Sequence, residues 1–215
     1  MAIMGHLETV KSFLRLASAG KMELHTLPQG EFAFLIEGQA RGVFELETEV
    51  GLGTFLDPRV GRGSAVTKLP SHHFIELAAN GLRYRLPKIN VALISAPYAD
   101  RHGNIYVRNA ACLTEIRDSA RAVKANGGIV LVTVAGVIPF DSSEVYLRHD
   151  EVDAIVVNAG NEQTASVRQL RYWPMLTVGA KVDEAEALAD VKFINDVLGV
   201  TPHRGPADLA AARLA

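Results

Sequence analysis

Three short apolar runs constrain the fold most. Residues 91–95 (Val-Ala-Leu-Ile-Ser), 129–134 (Ile-Val-Leu-Val-Thr-Val) and 153–157 (Asp-Ala-Ile-Val-Val) are rich in β-branched side chains and too short for helices. They lack the apolar–polar alternation of a strand with one wet face, the pattern expected of strands buried in a parallel sheet. Residues 113–126, between the first two runs, have helical spacing, carry Arg117, Arg121 and Lys124 outward, and stop at Gly127-Gly128. Strand, helix and strand in that order predict an α/β fold, a mainly parallel sheet flanked by helices.

The rest of the chain fits around that unit. Leu7, Val10, Phe13, Leu14 and Ala17 recur at helical spacing, and Ala19-Gly20 ends the helix. Residues 22–26 read as a short strand. Pro28-Gln29-Gly30 opens a second helix through Phe32, Leu35 and Ile36, closed near residues 38–42. Asn80-Gly81 between two strand-like runs predicts a β-hairpin excursion near residues 73–86, with Arg83 and Arg85 on a solvated edge. Residues 158–172 are polar and irregular, residues 183–198 form a helix, and residues 207–215 begin another helical pattern.

Composition narrows the function classes. A chain of 215 residues, 48% hydrophobic, can bury one substantial core, so residues 1–215 are expected to form a single domain. A net charge of -2 gives no basic field for nucleic acid. Cys112 is the one cysteine, which rules out an internal disulfide and suits a reducing cytoplasm. There is no Cys-x-x-Cys or His-x-x-x-His pair. His72 and His73, as strand neighbours, would point to opposite faces, so no metal site is expected. No apolar run reaches the ~18 residues of a membrane span, and the N-terminus lacks the pattern of a signal peptide. The expected setting is cytoplasmic, away from membranes.

Residues 51–63 hold four glycines and a proline and follow neither helical nor strand periodicity. Glycines at 51 and 53 tolerate positive φ and bring backbone N–H groups close to a ligand, while Asp57, Arg59 and Arg62 place charge beside them. Such a loop could cradle an anion or a polarised carbonyl, or simply turn the chain. It is not a dinucleotide loop, because Leu56 stands where the third glycine should be and Pro58 argues against a helix running on. Gln29 and Gly30 sit at a strand-to-helix turn with free N–H groups, a place for an oxyanion contact or an ordinary turn. Asp100, His102 and Asn104 lie just past the end of an expected strand, where open α/β sheets bind ligands, but a hydrogen-bonded turn is the preferred reading of them. Glu162-Gln163-Thr164 lies past another, where it could reach a ligand or equally form a surface connection.

Several of these stretches fit one pattern. Leu27-Pro28-Gln29-Gly30, the run from Gly51-Leu52-Gly53-Thr54 to Asp57-Pro58-Arg59, Asp100-Arg101-His102-Gly103-Asn104-Ile105 and the strand at 152–157 resemble the α half of family I coenzyme A transferases, in particular the acetate, propionate and 3-oxoacid transferases with fused α and β halves. The resemblance implies the α-domain fold of that family. It also implies acyl-CoA as substrate, with no permanently bound cofactor, and a β subunit or β domain as partner. In that family a glutamate of the β half attacks the thioester, and the acyl-glutamyl anhydride formed gives way to a glutamyl-CoA thioester. Carried over, Gln29, Gly30, Gly51, Gly53 and Thr54 would line the substrate and stabilise oxyanions, with Asp57, Arg59 and Asn104 supporting the loops. A strand and glycine-rich turn ahead of the first helix, usual in the family, are not evident here, and Arg62 breaks the family's glycine-rich sequel. The stretch near Arg204-Gly205-Pro206, at the start of 203–215, resembles a junction to a β half. Glu49, in Glu49-Val50-Gly51, is the in-chain candidate nucleophile; its competing reading is a strand-end surface carboxylate alongside Glu45 and Glu47. An α part without its β part should expose apolar surface and self-associate. Two other readings stay open: a non-catalytic acyl-CoA-binding module, and a subunit of a related acyl-CoA hydrolase or lyase.

Overall fold

A computed structural model describes residues 1–7, 10–110, 113–161, 174–179 and 181–198. Cys112, Glu162-Gln163-Thr164, most of the irregular 158–172 stretch and residues 203–215 lie outside the described residues.

The expected βαβ unit is present. Strands β6 (Val91–Ala99), β8 (Ile129–Val137) and β9 (Ala154–Val157) run parallel, and helix α3 (Ile116–Ala125) crosses between the first two. A two-residue strand, β7 (Ile105–Tyr106), adds antiparallel to β6, giving the order β7-β6-β8-β9. Ile116, Ala120 and Val123 of α3 pack on Ala92, Ile94, Ala96, Val130, Val132 and Val134 to form one core.

The other face of this sheet departs from expectation. It is open, with Leu93 80% and Val156 62% exposed and Val91 and Ile129 also exposed. β6 and β8 are therefore buried on alternate residues along most of their length, and β9 is exposed or half-buried throughout. Their apolar runs reflect a face that no described element covers.

The hairpin is formed by β4 (Ile75–Ala78) and β5 (Gly81–Arg85), but β5 is not an edge. Strand β3 (Glu45–Thr48) pairs along its other side, giving the order β3-β5-β4. Arg83 and Arg85 are consequently cross-strand charge partners: Arg83 pairs with Glu47, and Arg85 with Glu45 at 3.0 Å and Glu76 at 2.9 Å. Arg117 also differs from its expected outward place, lying over the Tyr146 ring at 4.2 Å, while Arg121 and Lys124 pair with Glu151 and Asp153.

At the N-terminus a strand stands where none was expected. β1 (Ala2–Met4) pairs parallel with β2 (Leu24–Thr26), and α1 (Lys11–Ser18) connects them. Three residues are too few to display a period of two, so the sequence pattern could not reveal it. Helix α2 (Gln29–Ala40) starts directly after Pro28, and α4 (Glu184–Leu198) closes the described part.

Helices α2 and α3 lie side by side in the same direction and are bonded at both ends. At their starts Gln29 Nε2 donates to Glu115 Oε1 at 3.0 Å. At their far ends the buried amide of Gln39 donates to Pro87 O at 2.9 Å and accepts from Ile89 N and Asn126 Nδ2. A second core of Leu27, Leu35, Ile36, Leu56, Leu82 and Tyr84 fills the space between α2, the β3-β5-β4 sheet and the glycine-rich loop.

Candidate functional site

Gln29 occupies the first position of α2, where backbone N–H groups lack helical partners. Its side chain is packed beside Gly5, the residue after β1. A Cβ at Gly5 would come within 1.9 Å of Gln29 Oε1, so only glycine leaves the amide its place. Glu115, which precedes α3, accepts one of its two amide protons. Gly5 and Glu115 were invisible as site residues in the sequence, because one lies 24 residues away and the other 86. A Cβ on Gly30 would meet open space.

The glycine-rich loop is wound inward. Leu52 N donates to Glu49 O, Thr54 N and Oγ1 to Gly51 O, and Gly53 N to Asp57 Oδ2 at 3.0 Å. The carboxylate of Asp57, 1% exposed, also accepts from the backbone and guanidinium of Arg59. The Arg59 side chain first, then the Gly53 and Arg59 N–H groups, hold that carboxyl far below the usual carboxylate range against an opposing push from burial. Asp57 and Arg59 thus knit the loop. The N–H groups of Leu52, Gly53 and Thr54, expected to face a ligand, are spent within it, and Phe55 and Val60 form its exposed face. Glu49 is exposed just beyond β3, and Arg62 is exposed on the loop.

Gly51 has φ +93 and lies against Tyr84, whose hydroxyl donates to Val50 O at 2.7 Å. Burial first, then the charge of nearby Glu31, push the Tyr84 phenol up to about 12. A Cβ at Gly51 would stand 2.5 Å from that hydroxyl. Gly51→Ala is therefore expected to destabilise the fold by about 1–3 kcal/mol from backbone strain alone, more once Tyr84 is displaced, as read by a urea melt.

Asn104 belongs to a separate cluster. Asp100, buried at the end of β6, accepts from His102 N (2.7 Å), Asn104 N (3.1 Å), Asn104 Nδ2 (2.8 Å) and the Tyr106 hydroxyl (2.8 Å). Asn104 Oδ1 in turn accepts from His149 N. Burial pushes the Asp100 carboxyl up, but the bonds from Asn104, Tyr106 and His102 outweigh it and hold it down at about 2. Beside this cluster, past the ends of β6 and β8, Asp100, Arg101, His102 and residues 137–140 line an open cleft of about 920 Å³.

A third cluster was not foreseen. His25, fully buried against the Phe74 ring, binds Ser64 Oγ through Nδ1 (2.8 Å) and Glu23 Oε1 through Nε2 (2.9 Å). Glu23 also accepts from Ser71 N, His72 N and His72 Nδ1. The serine–histidine–glutamate order is that of an activated nucleophile, but Ser64 and His25 are both sealed from solvent, so the bonds act as a clamp between β2 and residues 64–74. His72 lies outside any strand and is tied to this carboxylate. Among the described residues no group of three metal-binding side chains occurs. Burial pushes the Glu23 carboxyl up, but its histidine bonds hold it down at about 2. Both Glu23 and Asp100 are depressed from ordinary values of 4.5 and 3.8, so their stabilisation is complete above those values and is lost as pH falls through about 2. An acid titration followed by circular dichroism should show unfolding in that window, moved to higher pH in Glu23→Gln.

No hydrogen bond among the described residues joins Gln29, the glycine-rich loop and Asn104 to one another. No family model matches the chain. Caffeate CoA-transferase of Acetobacterium woodii is 38% identical over 133 residues, 60% of this chain and 25% of that protein. The acyl-CoA transferase YdiF apoenzyme of Escherichia coli O157:H7 superposes with a TM-score of 0.70 and 25% identity over 75% of this chain and 33% of that one. The chain is CoA-transferase-like in sequence and in fold. YdiF in its thioester complex with CoA gives the same TM-score at 23% identity, over 84% of this chain and 36% of that one. Glutaconate CoA-transferase of Acidaminococcus fermentans shares the fold, with a TM-score of 0.54 at 19% identity over 86% of this chain and 61% of its own. The chain thus spans about a quarter of the caffeate CoA-transferase it matches. Among its described residues no helix is long and apolar enough to cross a membrane.

Proposed function

We propose that this chain is the α part of a short-chain acyl-CoA:carboxylate CoA-transferase, working with a β segment in the same or a separate polypeptide. The observation that carries this reading is the 38% identity to caffeate CoA-transferase, together with the match to YdiF at a TM-score of 0.70. A glutamate carboxylate of the β segment attacks the thioester carbonyl, and CoA thiolate leaves to give an acyl-glutamyl anhydride. The thiolate returns to the glutamyl carbonyl and releases the donor acid, and the acceptor carboxylate then repeats the two steps in reverse. Each attack places negative charge on a carbonyl oxygen that needs a donor. Gln29 is that donor in this chain, with Gly30 beside it at the start of α2. Gly51, Gly53 and Thr54 shape the wall, and Asp57 and Arg59 hold the wall rigid. The open face of the β6-β8-β9 sheet supports association with a β segment or a second copy.

The test is mass spectrometry after incubation with acetyl-CoA or acetoacetyl-CoA and then borohydride, with and without the β segment of caffeate CoA-transferase. An adduct on a β-segment glutamate only when both parts are present is expected. An adduct on this chain alone would transfer the role to Glu49. No adduct in either case, with acyl-CoA still bound, would make the chain a binding module, and release of free acid without an acceptor would make it a hydrolase part.

A further inference from the structure

A groove between α1 and residues 66–69 lies away from the proposed reaction. It opens at the entry end of β2, whereas Gln29 follows the exit end of that strand. Its volume of about 560 Å³ suits a small-molecule site. One wall is α1, through Leu14, Ala17 and Ser18, and the other runs from Val66 to Leu69. The second wall is braced from behind. Val66 N and Thr67 N donate to Leu24 O, and Leu24 N donates to Thr67 Oγ1 at 2.7 Å. Further out, Ser64 is bonded to His25, and Ser71 N and His72 N donate to Glu23. The sealed Ser64–His25–Glu23 cluster thus fixes both ends of a strap whose crest is Lys68-Leu69.

That crest holds Leu69 88% exposed beside the groove. Two polar groups on the groove, the Ser18 hydroxyl and the Lys68 ammonium, make no hydrogen bond or ion pair among the described residues, and no carboxylate lines it. The carbonyls of Arg15, Leu16 and Ala17 are bonded to the N–H groups of Ala19, Lys21 and Gly20, which blunts the negative end of α1. Apolar walls suit an alkyl chain, and an ammonium without a counter-charge suits an anionic head. One lysine and one hydroxyl match a singly charged carboxylate, whereas a phosphate calls for more donors. We infer that this groove binds a medium-chain alkyl carboxylate, its chain along Leu14, Ala17, Val66 and Leu69 and its head at Lys68 and Ser18. The sequence hid the site because its two walls come together only through the bonding of residues 64–72 to β2.

Isothermal titration of the chain with octanoate tests it, with butanoate, octanol and octylamine as comparisons and Lys68→Glu and Leu69→Ala as variants. Both side chains are exposed, so the variants should keep the wild-type melting curve, which serves as the folding control. Octanoate should bind wild type, and affinity should rise about fourfold for each methylene buried between butanoate and octanoate. Octanol should bind about fivefold more weakly than octanoate at low salt, a difference that shrinks as salt is added. Leu69→Ala should weaken octanoate and octanol alike. Lys68→Glu should reverse the order, so that octylamine binds better than octanoate. No binding of octanoate to wild type, octanol binding as tightly as octanoate, or an unchanged order in Lys68→Glu overturns the inference. So does binding to phosphatidylglycerol vesicles without binding to free octanoate, which would make the crest a membrane contact. The adduct experiment reads the transferase separately, because Lys68 and Leu69 take no part in the proposed reaction.

Discussion

If the chain is the transferase α part proposed above, Gln29→Ala in the assembled protein should lower kcat about 100- to 1000-fold, with KM for acyl-CoA changed far less. The expectation follows from what the structure leaves available. The loop N–H groups of Leu52, Gly53 and Thr54 are already bonded within the loop. The Gln29 amide has two protons, and Glu115 takes one. On the proposed reading, the second meets the carbonyl oxygen that becomes negative during attack. A donor that strengthens only as charge develops acts on the transition state, so its loss should fall on kcat. Glu115→Ala frees the amide without removing it and should produce a much smaller loss, which separates orientation from contact. Steady-state kinetics of the assembled enzyme decide the matter, and a kcat equal to wild type in Gln29→Ala would remove this residue from the site.

Asp100→Ala should reduce the unfolding free energy by about 3 kcal/mol or more, because four donors lose one charged acceptor in a buried place. The Tyr106 hydroxyl would keep only its bond from Asp141 N, and the turn carrying Asn104 would lose the bonds that fix it. Tyr106→Phe removes one donor and leaves the acceptor three others, so its effect should be about 1 kcal/mol. Urea melts of the two variants give the comparison. A loss in Asp100→Ala no larger than in Tyr106→Phe would mean that the cluster is not cooperative.

The parts of the fold set by local pattern were legible. The runs at 91–95 and 129–134 and the helical spacing at 113–126 gave β6, β8 and α3 in their parallel arrangement, and Asn80-Gly81 gave the hairpin. Features set by partners distant in sequence were not. β1 is too short to show a period, and β5 became a central strand only because β3 pairs with it. The runs at 91–95 and 153–157 read as doubly buried because apolar composition reports a face's chemistry and not whether anything lies on it. The candidate site divides in the same way. Gln29 and the glycine-rich loop stand out by motif, whereas the direction of the loop's N–H groups depends on the Asp57 carboxylate folding back, which spacing does not encode. Glu23, His25 and Ser64 converge through strand pairing across 41 positions, with no motif to announce them.

The double fastening of α2 to α3 limits how this chain can vary in length. Gln29 and Gln39 are the two bolts on one helix, and Glu115 and Asn126 are their seats on the other. A side chain swapped between the bolts alters packing locally and leaves both ends aligned. One residue inserted or deleted there turns everything on one side by about 100° and shifts it by about 1.5 Å along the axis. The Gln29 amide would then swing off Glu115, or the Gln39 amide off Pro87 and Asn126. The two helices should accept substitutions at exposed positions such as Gly30 and Phe34, apolar replacements of similar size at Leu35 and Ile36, and a single spacing throughout, so natural or engineered indels belong in the connections outside them.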